Sequence, residues 1–272
     1  ANVGQIKNSG LEVLLNIIPV RTANLEWGAD LTYSTNRNKL ISLNNDEFQT
    51  TNDYFYAGHT GEPIQTVTHR IDIGGPIGNF WGLKVVDIDD DGIWIVETPE
   101  GDQISALDAS DADKQVLGNG LPKHYMSFNN TLNFKGFDLN VNMRGAFGFQ
   151  ILNFQRMYYE NPTINYNCLN SAFDEVYGKA VLSDVQRFVS HYIENGDYVK
   201  VDNITLGYSF NMNKVKSIKR LRVYASGRNL ATITGYKGMD PEVNIRGLSP
   251  GMDSRDKYPT VSSYTFGVNL TF

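Results

Sequence analysis

Three carboxylates alternate along DIDDDGIWIVET: Asp87, Asp89 and Asp91, followed at once by Gly92. An EF-hand loop opens this way, with oxygen ligands at its first, third and fifth positions and a glycine for the sharp turn. Such a loop needs a glutamate at its twelfth position to give the ion two oxygens. Thr98 stands there, and Glu97 is one residue short. The spacing therefore predicts an acidic hairpin turn leading into IWIV, with calcium on Asp87, Asp89 and Asp91 as the alternative. No residue pattern requires any other cofactor.

The remaining reactive residue types are scattered. His59, His69, His124 and His191 lack metal-ligand spacing, and no serine or cysteine lies in a nucleophile motif. Cys168, the single cysteine, reads as an inert loop thiol. The stretch GGPIGNFWG is glycine-rich without the strand–turn–helix setting of a phosphate cradle. It does carry two rings, Phe80 and Trp81. With Tyr158, Tyr159 and Tyr166, these could stack on the apolar faces of sugars or simply pack the loops. No enzyme is expected from these residues.

The elements that would position them follow from composition and periodicity. Over 272 residues the chain is 41% hydrophobic and 20% charged, which excludes disorder, and its net charge of −6 argues against a nucleic-acid partner. No run of about 18 apolar residues offers a membrane helix. The 15 Tyr, 14 Phe and 25 Gly point to strands and turns. Period-two alternation is present in seven places. It runs through Leu11–Ile18, Asn24–Tyr33, Met126–Phe134, Phe137–Phe149, Asn203–Phe210, Arg220–Ala225 and Tyr264–Phe272. Each segment has one apolar face and one polar face; on the polar one stand Asp138, Asn140, Asn142 and Arg144, with Glu26, Asp30, Arg220 and Arg222.

Most of these segments hold the pattern for about 8 to 13 residues, a range that includes the 9 to 11 of a tilted strand that spans a bilayer. Short turns alternate with long loops at about 38–125, 151–198 and 229–262. That asymmetry is how outer-membrane barrels are built. The expected fold is all-β: an antiparallel membrane β-barrel with lipid on the apolar face and water on the polar face. Seven strands are an odd count for such a barrel, so residues 1–272 are expected to be the C-terminal portion of one larger barrel domain. A secreted carbohydrate-binding β-sandwich, with the apolar faces as a shared core, is the soluble alternative. A passive barrel without a plug is another.

Five segments carry a family likeness. ANVGQIKNSGLEV, LGNGLPKHYMSFNNTLNFKGFDLNVNMRGAFG, DYVKVDNITLGYSF, LRVYASGRNLATITGYKGMDPEV and YPTVSSYTFGVNLTF together resemble the C-terminal part of the SusC-like TonB-dependent transporters of the Bacteroidetes. The resemblance covers almost the whole chain in the family's order and is weakest in the long loops. It implies the last seven strands of a 22-stranded barrel with a plugged lumen. It further implies an outer-membrane importer of oligosaccharides, or alternatively peptides, that works with a SusD-like surface lipoprotein. The TonB complex would act through an N-terminal part outside this sequence. Tyr264, Phe266, Val268, Leu270 and Phe272 resemble the terminal signal read by the barrel-assembly machinery.

Overall fold

A computed structural model of the chain describes residues 4–44, 50–212 and 217–272. Seven strands form one antiparallel sheet and pair strictly in chain order. They are β1 (Gln5–Arg21), β2 (Leu25–Ser42), β3 (His124–Phe134), β4 (Phe137–Phe147), β5 (Tyr198–Phe210), β6 (Arg220–Thr234) and β7 (Ser263–Thr271). Each alternating segment of the sequence falls on one of these strands, to within two residues at its ends.

The short turns sit at one end of the sheet. Between β3 and β4 only Lys135 and Gly136 separate the paired Phe134 and Phe137, and both turn residues have positive φ, 46° and 90°. Two consecutive positive φ values make the turn whose twist matches that of the flanking strands. The β1–β2 turn is held by Thr22, whose hydroxyl accepts from the Leu25 amide at 3.0 Å. The middle of the β5–β6 connection, residues 213–216, lies outside the described residues.

The strand ends differ from the sequence reading. β2 runs on to Ser42 and β6 to Thr234, where loops were expected from about 38 and 229. β4 stops at Phe147, because Gly148 turns the chain with φ 77°. Past Tyr33 the alternation fades, but backbone pairing of β2 with β1 continues to Ser42. A strand that has left hydrocarbon meets water on both faces and loses its apolar signal, not its hydrogen bonds.

Among the described residues no second sheet covers the apolar face. Phe266 is 83% exposed and Val268 60%, while Leu15, Leu31, Phe128 and Leu206 are exposed along the same side. A sandwich would have buried them. One polar residue, Asn130, interrupts this face, and its side-chain oxygen accepts from the Trp27 indole N–H at 3.2 Å. A hydrogen bond of this kind offsets the cost of an amide facing hydrocarbon.

The apolar core lies elsewhere, in the long loops. The first carries a four-stranded sheet (Tyr54–His59, Val67–Asp72, Asn79–Gly82, Gln115–Asn119) and a three-stranded one (Lys84–Ile88, Trp94–Glu97, Gln103–Ser105). The second contributes Gln150–Asn153, helix α1 (Phe154–Tyr159) and Ile193–Asn195; Met252–Asp253 of the third adds a parallel strand. Phe80, Trp94, Leu152, Met157, Tyr158, Phe188 and Tyr192 are buried together between these pieces. The three loops thus form one packed body on top of the wall.

Candidate functional site

The polar face of the wall is a chain of hydrogen bonds running across strands. Asn16 of β1 donates to Asp30 of β2 at 2.7 Å, and Asn129 of β3 donates to the other oxygen of Asp30 at 3.2 Å. Asn140 of β4 donates to Asn129 at 3.0 Å, and Asn142 to Asn140 at 2.9 Å. On β5 and β6, Asn203, Thr205 and Ser226 close a ring of bonds of 2.8–3.1 Å. Alternation places all of these side chains on one face, and antiparallel pairing sets them within reach of one another. Nearer the short turns, Asp138 is paired with Arg222. Asp138, Asn140, Asn142 and Arg144, the four residues expected to face a lumen, therefore stand on a single polar face made mostly of neutral amides and hydroxyls.

A bulge breaks that surface near the long-loop end. Asn142 faces Asn203 and Met143 faces Val201, so Asp202 is the extra residue. A bulge re-aims side chains; here Asp202 accepts from Arg144 Nε at 2.6 Å. Next to it the Lys200 ammonium is buried and donates to Asp240 at 2.8 Å and to Glu242 at 3.0 Å, both on the third long loop. Arg144 also pairs with Glu242, and Thr260 donates to Asp240. Lys257 donates to the Asp240 backbone carbonyl at 2.7 Å. Burial alone would raise the Asp240 carboxyl, but Lys200 and Thr260 outweigh it and hold the group below the usual carboxylate range. Hydrogen bonds from Arg144, and then from Lys200, do the same for Glu242 against its partial burial.

The body on top uses the other expected site residues differently. Phe80 and Tyr158 are fully buried in the core, so neither ring face is open to a ligand. That corrects their expected role at a sugar site: a ring inside a long loop here means a core. Trp81 is covered by the Arg70 guanidinium, 4.4 Å from the ring centroid, while Tyr54 takes the other contact of Arg70 at 4.0 Å. Tyr159 packs against the core and meets Tyr166 edge-on, centroids 6.0 Å apart. Tyr166 alone of the five is exposed.

Asp87, Asp89 and Asp91 lie in and beside a hairpin turn. Asp87 pairs with Lys179, and Asp89 accepts from the amides of Asp91 at 3.1 Å and Ile93 at 2.8 Å. Among the described residues no three metal-binding side chains converge. Asp89 thus holds the hairpin turn, and Asp87 is engaged by a lysine of the second long loop.

Two of the histidines are drawn inward, His69 fully buried and His191 half-buried. His69 Nε2 donates to the Pro250 carbonyl at 2.9 Å, and Nδ1 is 2.8 Å from the Thr68 hydroxyl. Burial lowers its pKa to about 4, against the opposing pull of the Pro250 carbonyl. His191 is also lowered to about 4, by burial and then by the charges of Arg156 and Lys237. An alternating VTHRID in the sequence, with His69 and Ile71 on one side, was the available signal for the first.

Known proteins share this arrangement. The chain is 28% identical over 302 residues to the TonB-dependent receptor P3 of Formosa agariphila, all of it aligning with 29% of that protein. It is 27% identical over 288 residues to the TonB-dependent receptor SusC of Bacteroides thetaiotaomicron, with 100% of this chain and 27% of the relative covered. The RagAB peptide importer in its closed-closed state superposes with a TM-score of 0.81 at 21% identity, over 100% of this chain and 30% of that one. Its open-open state gives 0.80 at 20%, over 99% and 29%. The chain spans less than a third of the length of the relatives it matches. No family model matches it. The superposition takes in both the wall and the body of loops, so the whole chain shares the fold of that segment.

Proposed function

We propose that this chain, similar along its whole length to TonB-dependent receptors, SusC among them, forms the C-terminal wall and outer mouth of an active importer in a bacterial outer membrane. The carrying observation is the one-layer sheet, with bare Phe266, Val268 and Leu206 on one face and the Asn16–Asn142 hydrogen-bond chain on the other. Only a closed barrel with lipid outside and water inside satisfies both faces and every backbone group. Among the described residues β1 and β7 each pair on one side only, and further strands of the same protein would complete the ring, 22 in all, around an N-terminal plug. Tyr264, Phe266, Val268, Leu270 and Phe272, on the outward face of β7, would serve as the assembly signal.

The chemistry is transport without bond-making. A sealed wall, a displaceable plug and a shaped mouth suffice, with TonB supplying energy and a SusD-like lipoprotein covering the mouth. The cargo is an oligosaccharide, a class to which a lumen of amides and hydroxyls offers both donors and acceptors. Peptide is the second reading, favoured by the likeness to a peptide importer. The test is uptake of labelled cargo by cells carrying the full-length protein. Uptake should stop when TonB is deleted, and the protein should need detergent for extraction and migrate differently on gels before and after heating. Extraction into plain buffer would refute the assignment.

A further inference from the structure

Between the first and second long loops lies an open cavity of about 830 Å³, walled by segments around Ile64, Lys114, Tyr166 and Gln186. We propose that this cavity binds a neutral oligosaccharide, with Tyr166 as the ring against which a sugar packs. The inference rests on the importer reading and places its cargo at a site on the outer body.

Tyr166 is a fixed platform. The residue is 45% exposed, its ring meets Tyr159 edge-on, and its hydroxyl accepts from Gln186 Nε2 at 2.9 Å. The same Gln186 nitrogen donates to the Tyr158 backbone carbonyl, so both N–H bonds are used and the amide oxygen is aimed. A ring held this way loses little freedom when a ligand arrives. The Tyr166 O–H still has its proton to donate. Neighbouring Asn165 also lines the cavity, and its side-chain amide is unbonded among the described residues. An apolar ring face beside planar amides matches a sugar, whose C–H face is apolar and whose adjacent hydroxyls both donate and accept.

Charge decides against the other cargo. Lys114 is paired with Asp111 at 2.7 Å, and Arg187 is held by Asp184 at 2.9 and 3.0 Å. The lining therefore offers a peptide's free ammonium or carboxylate no unpaired opposite charge. A neutral ligand loses nothing by this.

The test uses the full-length receptor, purified in detergent with its lipoprotein. A panel of short gluco-, manno- and fructo-oligosaccharides and a panel of short peptides are titrated calorimetrically. At least one sugar should bind, Tyr166→Ala should weaken it roughly tenfold or more, and Tyr166→Phe should retain most of the affinity. Tyr258→Ala, on the third loop and away from the cavity, should change nothing. Asn165→Ala guards against misfolding, since that side chain has no internal bond to lose, and it too should weaken the sugar. Unchanged affinity in both alanine variants, or binding of peptides alone, overturns the proposal. TonB-dependent uptake is measured in the same strains. If it persists while the alanine variants bind normally, the site is wrong and the importer stands; if no TonB-dependent uptake is seen, the importer reading itself falls.

Discussion

The wall and the body above it solve burial in opposite ways. Wall strands carry their apolar side chains outward and leave them bare: Phe266 and Val268 touch no second layer. The body gathers Phe80, Trp94, Tyr158 and Tyr192 inward, as a soluble domain does. One chain thus holds two solvent regimes, and a substitution should act according to the regime it enters.

The largest effect is expected inside the body. Phe80→Ala should cost about 3–5 kcal/mol, read as loss of protease resistance in the outer loops while the barrel keeps its heat-modifiable migration. If both fail together, the two regions are one cooperative unit. On the wall, Val141→Arg faces lipid and should cost about 2–4 kcal/mol in denaturant unfolding from vesicles. Its neighbour Asn142→Arg faces water and should cost well under half as much; equal costs would erase the distinction between faces.

Acid should separate the regions further. His69 is depressed to about 4 in the folded protein, while the unfolded chain titrates near 6.5. Its contribution is complete above about 6.5 and lost as pH falls toward 4, up to about 3 kcal/mol. Proteolysis or hydrogen exchange should therefore show the outer body opening in that window while the wall holds, and His69→Gln should flatten the dependence. The smallest effect is expected from Asn140→Ala, which removes one member of the lumen chain next to water, at about 1 kcal/mol.

The wall was legible in the sequence because lipid and water on opposite faces impose a strict period of two, visible from Leu25 to Tyr33 and from Tyr264 to Phe272. The body was not. Its strands are 2–6 residues long, and the parallel pairing of Leu152 with Met252 joins residues from different loops. Nothing local announces such contacts, so for Phe80 and Tyr158 the sequence leaves sugar stacking and loop packing both open. The bulge is an intermediate case. Val199 and Val201 are apolar at odd positions and Ile204, Leu206 and Tyr208 at even ones, so the phase change at Asp202 is written in the sequence. It was the buried partners of Lys200, some forty residues onward, that the pattern did not reveal.

The fastening of Asp240 and Glu242 to Lys200 has a mechanical consequence. It ties the rim of the entrance from within, to the staves of the barrel, leaving that segment no slack to swing. The height at which that loop stands over the polar face is then set once, when the chain folds.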